Sequence, residues 1–341
     1  MQRLAFFLAL IFLGASTAAL AAGPRYEQDR KELESVLDDL TRWLPGEWSS
    51  FPQVYHERTV KMPADGEHDP WYRTFVRIKA PQIGEYVFYG QINLGERDGP
   101  LLSGSQILYT AAIDEQRQVV VIHGQAPAEQ EKYVDLQGRP ELWSQVRMRD
   151  PSNIRCDFVW RREGAQIVGV LDGSTEERRK YGPGTCSYVS QATGKEFFAE
   201  THWALSADEL WLYDINSLGG IQFTGRKDHT HTKLYRARPY QCTVRDAAGR
   251  HVVAAHDRGF TESVTGSANT SVAWMLLRAR FLSAGGLGLD DRLKLLLTID
   301  GASQAVEAAS AAPAAAAISG HGAGVAVRCS HSSQFPRMPA P

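Results

Sequence analysis

The chain has 341 residues, and its 37 Lys plus Arg against 39 Asp plus Glu leave a formal charge of -2 spread over many mixed charges, with no basic block. That balance excludes nucleic acid or an anionic membrane as an implied partner. Residues 1–22 have the parts of a secretory signal, and the roughly 320 that remain are enough to bury a real core in each of two domains.

In the signal, Arg3 supplies the positive end, Leu4 to Leu13 the apolar run and Ala19-Leu20-Ala21 a small-x-small cleavage site, so the exported chain starts near Ala22. The run falls short of the roughly 20 apolar residues a membrane helix needs, and no later segment approaches that length, so no integral membrane span is expected. The expected location is periplasmic or secreted. Four cysteines in an exported chain read as two disulfides, with three connectivities open.

Leu33, Val36, Leu37, Leu40, Trp43 and Leu44 recur at helical spacing and predict one amphipathic helix, stopped by Pro45-Gly46. From Glu47 to about Val244 the apolar residues alternate in short runs instead: Tyr86 to Leu94, Gln106 to Ile113, Gln118 to His123, Cys156 to Arg161, Ile167 to Leu171, Glu196 to Leu205 and Leu210 to Asp214. Their connections, such as Glu163-Gly164-Ala165 and Ala192-Thr193-Gly194-Lys195, are short enough to make successive strands antiparallel neighbours. An up-and-down sheet of this many strands closes on itself because closure removes exposed edges. Beyond Val244, Thr270 to Leu282, Arg292 to Asp300 and Gly320 to Cys329 are strand-like, and the alanine-rich Ala302 to Ala317 fits a short helix or a flexible arm equally. The expected organisation is an all-β chain: a barrel over 23–244, a small β extension over 245–331 and a loose tail over 332–341.

The segment Leu40-Thr41-Arg42-Trp43-Leu44-Pro45-Gly46-Glu47-Trp48-Ser49-Ser50-Phe51-Pro52-Gln53 resembles the opening motif of the CpcT/CpeT-type phycobiliprotein chromophore lyases. The resemblance continues through Phe88-Tyr89-Gly90-Gln91, the hairpin from Cys156 to Gly169, Cys186 and Ala204-Leu205-Ser206-Ala207-Asp208-Glu209-Leu210-Trp211, covering roughly residues 33 to 227. Lys233 to Cys242 is similar to the barrel exit of exported proteobacterial relatives of that family. The resemblance implies a lipocalin-like antiparallel β-barrel with an N-terminal helix, and as ligand a linear tetrapyrrole delivered to a cysteine of a phycobiliprotein. The chain departs from the family at Gly90-Gln91, at Pro100 to Gln106 and at Asp214-Ile215-Asn216, where interior arginines for the bilin propionates are missing.

Cys156 and Cys186 lie 30 positions apart in the middle of the barrel and read as a structural disulfide, which by elimination pairs Cys242 with Cys329. His229-Thr230-His231 reads as a solvated turn, with a metal site completed by His202 as the alternative. Tyr89, Gln91, Gln106, Tyr109, Trp203 and Tyr213 stand on alternate positions of central strands, where they either fill the barrel or line a pocket, and Asp214 needs a partner if it points inward. A shift of one residue in strand phase would exchange these for their neighbours. No G-x-S-x-G elbow, H-E-x-x-H or phosphate-cradling loop occurs, so no catalytic residue is expected. The reading is an exported barrel that binds a small apolar or amphipathic ligand and needs no cofactor. The alternatives are a true chromophore lyase and a structural envelope protein with a filled barrel.

Overall fold

The computed structural model describes residues 24–102, 104–149, 156–172, 184–190, 193–226, 228–283 and 288–333. The expected signal and residues 334–341 of the tail lie outside these. The first half is built from α1 (Pro24–Trp43), β1 (Gly46–Ser49), α2 (Phe51–Thr59), β2 (Trp71–Ile78), β3 (Tyr86–Leu94), β4 (Ile107–Asp114), β5 (Val119–Gln125), β6 (Asp157–Glu163), β7 (Gln166–Asp172), β8 (Thr185–Val189), β9 (Glu196–Leu205), β10 (Glu209–Leu218), β11 (Ile221–Thr224) and β12 (Thr232–Arg236). Ten of these strands close an antiparallel ring in the order β10-β12-β1-β2-β3-β4-β5-β6-β7-β9, and β9 pairs back onto β10. This is a lipocalin-like barrel.

The expected helical stripe closes one end of it. Leu33, Val36, Leu37 and Leu40 of α1, with Leu44, share a buried core with Trp160, Ile167, Val120 and Ile122 of the strands. Inside, bulky rings alternate with glycine. A Cβ on Gly169 would lie 2.6 Å from the Trp160 ring, and one on Gly90 would lie 2.9 Å from Tyr109, so these strands cross a ring-packed interior only where the side chain is missing.

The ring has one short join. β7 meets β9 from Ile167 opposite Leu205 to Val170 opposite His202. Beyond that point β9 pairs with β8, from Thr185 opposite Glu200 to Val189 opposite Glu196, and β8 touches β7 through the bridge between Gly184 and Leu171. The expected disulfide Cys156–Cys186 ties this inserted strand to the start of β6.

The second half contains β13 (Pro239–Asp246), β14 (Gly249–His256), β15 (Arg258–Thr265), β16 (Ser271–Leu282), β17 (Leu289–Ile299), β18 (Val306–Ala311), β19 (Ala317–Gly322) and β20 (Val325–His331). They form two four-stranded antiparallel sheets, β14-β13-β20-β19 and β15-β16-β17-β18, around a core that includes Tyr240, Val244, Trp274, Leu293, Leu295 and Val327. The break expected at Val244 therefore falls earlier. β12 ends at Arg236, and β13 already pairs with β14 and β20, with Cys242 opposite Cys329 and the second disulfide between them. The alanine-rich segment is strand rather than helix or arm, and its small side chains have a use: a Cβ on Gly320 would lie 3.0 Å from Ala308, so β18 and β19 approach closely only because both carry small residues.

The joint between the halves is polar and buried. Asp257 is fully buried, its Oδ2 2.7 Å from Nε of both Arg238 and Arg278. Arg258 and Arg278 both donate to the Arg236 carbonyl at the barrel exit, at 3.0 and 2.9 Å, and the Arg236 side chain reaches back to the carbonyls of Trp43, Pro45 and Ala207. Phe51 of α2 packs directly over Gly259, whose backbone lies at φ +100°, where a Cβ would sit 2.1 Å from the ring.

Candidate ligand-binding site

Because α1 fills one end of the barrel, the free space collects at the other, in an open cavity of about 790 Å³. Its inner wall is aromatic. The Trp203 ring lies 5.2 Å from Phe158, 6.2 Å from Phe75, 6.2 Å from Tyr109 and 6.3 Å from Trp160, all tilted or edge-on. These residues arrive from β2, β4, β6 and β9, each at an inward position of its strand, so the cluster is a product of the closed ring.

One cation and one carboxylate interrupt this wall. Arg73, on β2 between Trp71 and Phe75, is only 5% exposed, and its guanidinium lies 5.2 Å from the Trp71 ring and 5.7 Å from Trp203. Asp214 on β10 approaches it at 3.6 Å, a loose ion pair, and accepts a hydrogen bond from Trp203 Nε1 at 3.1 Å. The Arg73 Nε–H is buried without an acceptor. Burial pulls the Arg73 guanidinium below its ordinary value, with Asp214 working against that. Burial also pushes the Tyr109 hydroxyl up to about 12; the Arg73 charge opposes this and the Asp214 charge adds to it, so Tyr109 stays a neutral donor at physiological pH.

Toward the mouth the wall continues as a tongue of rings. Tyr188 lies 4.9 Å from Phe197, and Phe197 lies 6.2 Å from Phe223, which with Ile221 is exposed at 58% and 70%. Cys156 borders the cavity, its sulfur held in the disulfide to Cys186, so no thiolate faces the space.

Neither protein-family models nor curated proteins match the chain. Among solved structures, it is similar to the T-type phycobiliprotein lyase CpeT from Prochlorococcus phage P-HM1, at 13% identity over 59% of this chain and 98% of that one, with a TM-score of 0.35. It is also similar to the CRL protein of Arabidopsis, at 14% identity over 61% of this chain and 99% of that one, with a TM-score of 0.41. The likeness concerns fold alone.

Of the residues singled out from sequence, Tyr109, Trp203 and Asp214 border the cavity together. Gln91 also borders it, but its amide is engaged with Tyr89, Asn93 and Asp135. Tyr89 and Gln106 point to the opposite face of the sheet. Tyr89 is fully buried with Tyr133 and Leu136 under the segment 126–149, and Gln106 donates to the Gln130 carbonyl at 3.1 Å. Tyr213 stands on the outer face beside His202 and His231, its hydroxyl 2.5 Å from His229 Nδ1. The correction is the one-residue phase: the inward positions are Phe88 and Gly90 on β3, and Leu212 and Asp214 on β10. Arg73 was not singled out, although Trp71, Arg73 and Phe75 at alternate positions are the pattern that places it on an inner face. Among the described residues no group of three His, Cys, Asp or Glu is arranged to hold a metal ion, and no helix is long and apolar enough to cross a membrane.

Proposed function

We propose that this protein is an exported carrier that holds a small amphipathic molecule in the open half of its barrel. The observation that carries the reading is the asymmetry of the interior: the apolar stripe of α1 packs into the core at one end, while the other keeps an aromatic-walled space holding the loose pair of buried Arg73 and partly buried Asp214. The two disulfides support an oxidising, non-cytoplasmic compartment, and the signal-like N-terminus gives the route to it.

Native mass spectrometry of the protein purified from its own host, with absorbance from the near ultraviolet to the red, tests this reading. Extra mass without colour is expected. Extra mass with visible colour would instead favour a linear tetrapyrrole and the chromophore lyase activity. A bare polypeptide mass, together with failure to bind the fluorescent aromatic sulfonate anilinonaphthalene sulfonate, would leave the filled structural barrel.

A further inference from the structure

Arg73 is an unusual residue to leave half-paired. A guanidinium this deeply buried is normally matched by a bidentate carboxylate or by carbonyl acceptors. Here Asp214 stands at 3.6 Å, a long contact for an ion pair, the buried Nε–H has no acceptor, and the Trp71 and Trp203 rings flank the group. Three arginines at the Asp257 joint show the contrast, since Arg238, Arg258 and Arg278 each find a carboxylate or carbonyl partner within 3.0 Å. Outward from Arg73 and Trp203 the same cavity is lined by Ala199, Phe197 and Phe223, interrupted by the polar Thr201 and Asn216, and Phe223 is exposed at its rim.

We infer that the cavity takes its ligand acid-first: the carboxylate of a long-chain monocarboxylic acid pairs with the Arg73 guanidinium where it lines the cavity, and its acyl chain runs out along the ring tongue to the mouth. The inference rests on the reading of the barrel as a carrier and specifies what it carries. The lining holds a second arginine, Arg149, but that one is exposed and donates to Gln130, so the one buried cation suits one acidic head, and the exposed Phe223 at the rim suits an apolar body too long for the cavity alone. Asp214 competes with the ligand for the same guanidinium, so it limits affinity as well as balancing charge in the empty barrel.

The test is a titration of the disulfide-intact protein with palmitic acid and with palmityl alcohol, each displacing a dansyl-labelled undecanoic acid. The acid should bind at least about tenfold more tightly than the alcohol, the scale of a charge-assisted hydrogen bond. Arg73→Gln should abolish that preference while keeping alcohol binding, which also shows that the variant folds. Asp214→Asn should move the preference the other way, and this second variant decides the matter if the first does not fold. An acid-to-alcohol ratio of one in the native protein, or one unmoved by both substitutions, would overturn the acid-first arrangement and leave the carrier reading standing. Binding of neither chain, nor of the aromatic sulfonate, would remove both.

Discussion

Asp257 shows how much depends on one carboxylate at the joint. Burial alone would raise its carboxyl, and the charges of Arg258, Arg278 and Arg238 outweigh that, so it is held below its ordinary 3.8. Its folded value is the depressed one, so its contribution is complete above the unfolded value and is lost as pH falls from about 3.8 through the folded value. Asp257→Asn leaves three arginines without their carboxylate and should cost ~3–5 kcal/mol, the usual penalty for breaking a buried pair. Urea melts at pH 7 and pH 3 should show a large gap between native and variant at the higher pH and a smaller one at the lower. An equal gap at both would mean that the ionised carboxylate is not what holds the joint. The same physics acts on Arg258, which burial and the neighbouring Arg278 charge lower to about 10.

Strands were legible where one face is wet and obscure where both are buried. β9 was read with its observed bounds, Glu196–Leu205, because inward Trp203 and Leu205 alternate with partly exposed His202 and Ala204. On β3 the bounds were equally clear, but the segment 126–149 buries its outer face too, so Tyr89 and Phe88 are equally hidden and alternation could not tell in from out. On β2 burial does not alternate, with Tyr72, Arg73, Thr74 and Phe75 all buried, so the alternate Trp71, Arg73 and Phe75 do not stand out from their neighbours in the sequence. The alanines of β18 gave no strand signal because their role, close approach to β19, depends on a distant partner. Packing between elements makes a prediction of its own. Gly169→Ala would push a methyl into the Trp160 ring and should destabilise by ~1–3 kcal/mol, seen as a lower denaturation midpoint with an unchanged slope. A neutral result would mean that the ring is free to move.

For the whole molecule, the two disulfides act on different things. Cys242–Cys329 closes a separation of 87 residues and sits across paired strands of the second core, whereas Cys156–Cys186 closes 30 and sits at the barrel mouth. Loop entropy assigns them about 4.5 and about 3.5 kcal/mol respectively. Replacing each cysteine pair with serine should therefore lower overall stability more for the first, while the second should selectively raise hydrogen exchange in β8. Uniform exchange in both variants would count against this division.

That division puts a redox-sensitive tie beside the mouth. The join between β7 and β9 is short at the floor and is completed near the mouth by β8, whose covalent tie to β6 is a single sulfur–sulfur bond. The cavity opens beside that seam, so the bond that fastens β8 also shapes one side of the mouth. On the carrier reading, reducing Cys156–Cys186 should loosen that side of the mouth and raise the ligand off-rate, and an off-rate equal in oxidised and reduced protein would count against it.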